Sequence, residues 1–290
     1  MFAITGITGK VGGATAHALL AAGLPVRAVL RDAGKAENWA QRGCEVAIAE
    51  MEDAEALAAA FKGARGVFVL PPSCFDPEPG FPEARAVIDA VARALATARP
   101  DKVVCLSTVG AHSTRPNLLS QRTLIELELS RASMPVTFLR PAWFMENVAW
   151  DIAGVKANGM LRSFLQPLDR AIPMVATADI GKVAAELLRQ DWVGKRVVEL
   201  EGPTNSMGNS WPPFGPSFEV RSAPPYRAVR KTNWRRELVL RHKSIDRRAA
   251  EPGHAGDGPH AKKGRAVRAG VESSGRLEIT HGTVLRESLR

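Results

Sequence analysis

Short apolar runs alternate with longer, mixed runs over the first two-thirds of the chain. Residues 2–5, 26–31, 44–49, 66–70, 102–107, 136–139 and 196–200 are brief and rich in Val, Ile, Leu and Phe, and each predicts a strand. Between them, residues 10–22, 35–42, 54–62, 82–98, 118–131 and 179–190 predict helices. Val183, Leu187 and Leu188 share one face of the last of these. Gly23 stands where a helix C′ residue is expected, Asp53 where an N-cap is expected, and Pro71-Pro72 close the fourth strand. Strands of this kind, alternating with helices, are the pattern of βαβ units around a parallel sheet, which makes the class α/β.

Past residue 205 the alternation stops. Residues 206–270 hold seven of the twenty prolines and no clear apolar period. Residues 229–240 are the one stretch there that suggests a short helix, and residues 282–289 regain a modest apolar pattern. Charge follows the same boundary. Residues 206–290 carry 17 Lys and Arg against 8 Asp and Glu, which accounts for the whole formal charge of +9. The expected organisation is a neutral, well-patterned domain at 1–205 and an irregular basic region at 206–290.

The richest chemistry lies at the first strand–helix turn. Ala3-Ile4-Thr5-Gly6-Ile7-Thr8-Gly9-Lys10-Val11-Gly12-Gly13 passes from a strand through three spaced glycines into an Ala-rich helix. Glycine lets backbone bend tightly and approach a ligand without a Cβ in the way. A helix beginning there aims its unpaired N–H groups and its positive dipole end at the gap. This is the expected seat of a dinucleotide pyrophosphate, with Gly6, Thr8, Gly9, Lys10, Val11 and Gly12 as its residues.

The second strand ends in Arg31-Asp32. An arginine there matches a ribose 2′-phosphate and favours NADP, whereas an acidic residue matches a free 2′-hydroxyl and NAD. Arg31 favours NADP, and Asp32 keeps NAD open. Met51 ends the third strand and is expected over the adenine. Leu70, Pro71 and Pro72 end the fourth and border the ribose. Ser107 and Thr108 end the fifth, where hydroxyls can orient a carboxamide or a substrate carbonyl.

With these residues in view, the first 205 residues resemble the NmrA-like branch of the atypical short-chain dehydrogenases. The resemblance rests on Thr5–Gly12, Val26–Asp32, Val67–Pro72, Ser107-Thr108-Val109-Gly110 and, most specifically, Leu139-Arg140-Pro141-Ala142-Trp143-Phe144-Met145-Glu146-Asn147. It implies a doubly wound parallel Rossmann sheet with a small C-terminal substrate lobe. It also implies either an NAD(P)H:quinone-type oxidoreductase or a non-catalytic NADP-sensing regulator. The Leu-Arg-Pro stretch is implied to line the cofactor and substrate cleft. Pro141, Trp143 and Phe144 are then candidates to border a flat acceptor, His112 to donate to its oxygen, and Trp150 to pack against the C-terminal lobe.

One departure narrows the chemistry. The sole tyrosine, Tyr226, lies in the irregular region, with Arg230 four residues on, so the Tyr-x-x-x-Lys pair of typical short-chain dehydrogenases is missing. Carbonyl chemistry that needs a tyrosine proton donor is disfavoured, and hydride transfer to an electron-poor quinone is favoured. No catalytic residue is assigned.

The 206–290 region does not read as the helices that the resemblance leads one to expect. A reading-frame shift near residue 205, restored near 275–280, would produce this change of composition. The competing reading is a nucleic-acid arm, with Arg235-Arg236, Arg247-Arg248 and Lys262-Lys263 neutralising phosphates, though without a recognition helix or aromatic platform. Cys44, Cys74 and Cys105 show no metal spacing, and Cys44 and Cys105 are expected in the core. There is no apolar run of membrane-spanning length and no room for a leader before the first strand, so a cytoplasmic protein acting on a small molecule is expected.

Overall fold

The computed structural model describes residues 1–150, 152, 156–157, 160–163, 171–202, 204–206, 219–222, 278–279 and 283–289. Seven parallel strands form its centre. They are β1 (Phe2–Ile4), β2 (Val26–Leu30), β3 (Glu45–Ile48), β4 (Gly66–Val69), β5 (Lys102–Leu106), β6 (Val136–Pro141) and β10 (Lys195–Glu201). Their order across the sheet is β10-β6-β5-β4-β1-β2-β3. Parallel neighbours require crossovers, and helices supply them: α1 (Lys10–Ala21), α2 (Ala36–Ala40), α3 (Ala54–Phe61), α4 (Pro82–Ala98), α5 (Ser120–Leu129) and α6 (Thr177–Arg189).

Two apolar layers cover the sheet. On one face Ile4, Val11, Leu19, Phe68 and Leu139 pack with Ile180, Leu187 and Leu188 of α6. On the other, Val67, Val103 and Phe138 pack with Leu57 and Phe61 of α3, Val91 and Leu95 of α4 and Ile125 of α5. Strands apolar on both sides are what a sheet buried on both faces demands. Helices α1 and α6 meet so closely that a Cβ on Gly181 would lie 2.4 Å from Ala14 Cβ.

The predicted alternation is the observed one. The predicted helix 35–42 is a 3₁₀ turn, Ala33–Lys35, followed by the short α2. Asp32 causes the difference, because its carboxylate accepts the Gly34 N–H and tightens the turn. Asp53 caps α3 by accepting from the N–H groups of Glu55 and Ala56, each at 3.0 Å. Gly23 closes α1 with φ +70°.

Beyond the predicted elements come β7 (Trp143–Phe144), β8 (Met160–Ser163), β9 (Ala171–Val175), β11 (Thr204–Ser206), β12 (Glu219–Ser222), β13 (Glu278–Ile279) and β14 (Thr283–Leu289). β7 and β11 flank β9, and β12 pairs in parallel with β8. β14 runs antiparallel to β10, so residues 283–289 join the main sheet. These strands escape a periodicity reading because most have only two to five residues. The suggested helix at 229–240, Tyr226 and the three basic pairs lie outside the described residues.

Candidate functional site

The carboxyl ends of β1–β6 open into one cleft of about 960 Å³. Ligands of open α/β sheets bind at this edge. Of the residues singled out in the sequence, Gly6, Thr8, Gly9, Lys10, Val11, Arg31, Met51, Leu70, Pro71, Pro72, Ser107, Thr108, Trp143 and Phe144 line the cleft together. Gly12, His112 and Pro141 do not.

The glycine turn is built from both ends. Gly6 sits at φ +61° in the left-handed region, and its carbonyl accepts the Gly9 N–H at 2.9 Å. Gly12 contributes by having no side chain: a Cβ there would lie 2.2 Å from the Gly6 oxygen. Its place is behind the turn, letting α1 start against it. No side chain caps α1 at Gly9, and the first helical turn holds no carboxylate. The helix end therefore offers bare N–H groups to an anion. Thr5 holds the turn to the next strand, donating to the Phe68 carbonyl at 3.1 Å and accepting the Leu70 N–H at 2.8 Å. A threonine at a strand end gives no distinct signal in sequence, and this role was not foreseen.

Arg31 and Asp32 differ in their surroundings. Asp32 Oδ1 accepts from Gly34 at 3.0 Å, and its Oδ2 lies 3.6 Å from Lys35 Nζ. Arg31 is exposed and lines the cleft, as does Met51.

The Leu-Arg-Pro stretch does two jobs that its sequence does not reveal. Arg140 is 3% exposed and grips Glu126 of α5 with Nε on Oε1 at 2.8 Å and Nη2 on Oε2 at 2.6 Å. Its guanidinium is held above the usual range, first by the Glu126 hydrogen bond, against the opposing effect of burial. Glu126 Oε1 also accepts the Ser107 hydroxyl at 2.5 Å. Further along, Glu146 takes the N–H and hydroxyl of Thr177, at 3.0 and 2.7 Å, and so closes the N-terminal end of α6.

His112 is exposed, with Nδ1 3.4 Å from Arg140 Nη1. The lobe against which Trp150 is expected to pack lies largely outside the described residues. Trp150 is 68% exposed, lines the cleft, and meets Phe75 edge-on with ring centres 5.9 Å apart, because the turn that carries it faces the loop after β4. Cys44 and Cys105 are buried as expected, and burial pushes the Cys105 thiol up to about 12. No helix among the described residues is long and apolar enough to cross a membrane, and none of their His, Cys, Asp and Glu side chains cluster as a metal site.

A doubly wound sheet with a glycine turn and an open carboxyl edge defines a Rossmann-type α/β protein. Residues 1–208 match the NmrA-like family, and the chain belongs to it. It is 28% identical over 206 residues to an NAD(P)H azoreductase of Xenophilus azovorans, covering 70% of this chain and 68% of that protein. Among solved structures it is similar to an NADPH-dependent quinone oxidoreductase of Escherichia coli complexed with NADPH, with TM-score 0.61, 24% identity and 70% of each chain covered. It is also similar to a Citrobacter sp. triphenylmethane reductase complexed with NADP(H), with TM-score 0.60, 20% identity, and 71% of this chain and 72% of that chain covered.

Proposed function

We propose that this chain is an NADPH-dependent oxidoreductase that passes hydride to a quinone or a similar flat acceptor. In this reading residues 1–205 form the cofactor-binding domain, and residues 206–290 stand in place of a substrate lobe. The observation that carries the reading is the division of labour at Arg31 and Asp32. The aspartate is engaged in its own turn, and the arginine is left on the cleft wall to meet a 2′-phosphate. The residues fit the cofactor along its length: bare helix N–H groups for the pyrophosphate, Met51 for the adenine, and Leu70, Pro71 and Pro72 for the ribose. The likeness to dye- and quinone-reducing relatives supports a flat acceptor.

When bound, NADPH supplies a hydride. The chain's own part is alignment. Trp143 and Phe144 line the same cleft as Thr108 and are the aromatic residues we assign to a planar acceptor. His112 stands off the cleft lining and Tyr-x-x-x-Lys is missing, so neither is assigned as the proton donor.

The test is quinone-dependent loss of NADPH absorbance with the full chain. Steady oxidation that needs both reactants is the expected result. Tight NADP⁺ binding without turnover on any quinone would replace this reading with the non-catalytic NADP sensor.

A further inference from the structure

Ser107 follows β5 on the cleft wall and is 4% exposed. Its N–H donates to the Leu139 carbonyl at 2.7 Å, which fixes its backbone to β6. Its hydroxyl donates to Glu126, whose two oxygens are both held by Arg140. Arg140 donates to both carboxylate oxygens, so Glu126 meets the Ser107 hydroxyl as an acceptor. The Ser107 proton must therefore point at Glu126. What remains is an oxygen with free lone pairs, to which no group among the described residues donates. This hydroxyl can accept from a ligand and cannot donate to one.

Strand order says which part of a ligand it meets. Arg31 ends β2 and the glycine turn follows β1, while β4, β5 and β6 lie in sequence on the other side of β1. A dinucleotide with its 2′-phosphate at Arg31 and its pyrophosphate at the glycine turn extends its far end over β4 and β5. That far end is the nicotinamide, and its carboxamide carries N–H donors.

We propose that Ser107 Oγ accepts a carboxamide N–H of the nicotinamide ring, and that Glu126, clamped by Arg140, is the positioning residue that keeps Ser107 an acceptor. This rests on the NADP reading above. It also fixes ring orientation, because the carboxamide is tied to the β5 end. Ser107 is thereby removed as a proton donor to the acceptor.

The probe is the 3-acetylpyridine analogue of NADP⁺, which keeps the carbonyl but has no N–H. Calorimetry with the full chain should show NADP⁺ binding about five- to tenfold tighter than the analogue, the worth of about one net hydrogen bond. In Ser107→Ala that preference should shrink to about one. The analogue's affinity should be unchanged, which shows that the variant is folded. Glu126→Gln, whose amide can donate as well as accept, should give an intermediate preference. Equal binding of both ligands by the wild type, or a preference that survives Ser107→Ala, overturns the proposal. A full wild-type preference in Glu126→Gln removes Glu126 from it. A wild type that binds neither ligand overturns the cofactor reading itself, a visibly different failure.

Discussion

Asp32 Oδ1 accepts the backbone N–H of Gly34 at 3.0 Å, and this bond separates two adjacent residues that look equivalent in sequence. The aspartate serves its own turn, and Arg31 faces the cleft. Arg31→Ala should therefore weaken NADP⁺ binding by about 10- to 100-fold, the scale of a charge-assisted hydrogen bond. NAD⁺ binding should change by no more than about threefold, since no 2′-phosphate is lost. Calorimetry with both cofactors reads this directly, and equal losses for the two would place the arginine elsewhere.

Gly12 and Gly181 are both packed too tightly for a side chain, but they should fail in different ways. A Cβ on Gly12 meets the Gly6 oxygen at 2.2 Å and pushes on the cofactor turn itself. A Cβ on Gly181 meets Ala14 at 2.4 Å and none of the cofactor-turn residues. Gly181→Ala should lower stability by about 1–3 kcal/mol through overpacking. The folded fraction should bind NADP⁺ nearly as well as wild type. Gly12→Ala should lose NADP⁺ binding as well as stability. Thermal melts with and without NADP⁺ separate the two, because only a binding-competent chain is stabilised by ligand.

These glycines also show how far the sequence could be read. The spacing of Gly6, Gly9 and Gly12 after a strand was enough to place the turn, since backbone geometry dictates glycine locally. The alternating strands were legible for the same reason: burial on both faces leaves an apolar run. Arg140 and Glu126 were not legible as a pair. They are 14 residues apart, on β6 and α5, and only the folded sheet brings them together. Glu146 and Thr177 are 31 apart and meet for the same reason.

Cys105 makes a prediction about alkaline pH. Burial raises its thiol from the ordinary 9.0 to about 12. Between those values the unfolded chain gives up this proton and the folded chain keeps it. Folding stability then falls as pH rises, by up to about 1.4 kcal/mol per pH unit from this group. Lysines titrate nearby, so the informative quantity is a difference. Denaturant melts at pH 8 and pH 10.5 should show a smaller alkaline loss in Cys105→Ala than in wild type. Identical pH dependence in the two would mean that the thiol ionises in the folded protein.

The region from 206 on calls for a test at the level of the gene. Residues 283–289 form β14, which pairs with β10 of the main sheet, and the preceding basic stretch has neither apolar period nor balanced charge. A chain whose last strand pairs in the sheet while the sequence before it lacks an apolar period is what a pair of compensating frame shifts would leave. The substituted stretch would lie between residues that were always in frame. Translating codons 206–275 in the other two frames should then yield, in one of them, amphipathic segments with apolar residues at helical spacing and a charge near neutral. A chain carrying that replaced segment should cover Trp150 and Phe75, which are 68% and 63% exposed. Tryptophan fluorescence should shift to the blue and quenching by iodide should fall. If neither frame contains such segments, the basic stretch is native to this protein, and its Arg235-Arg236 and Lys262-Lys263 pairs become the residues to test for duplex DNA binding that weakens with salt.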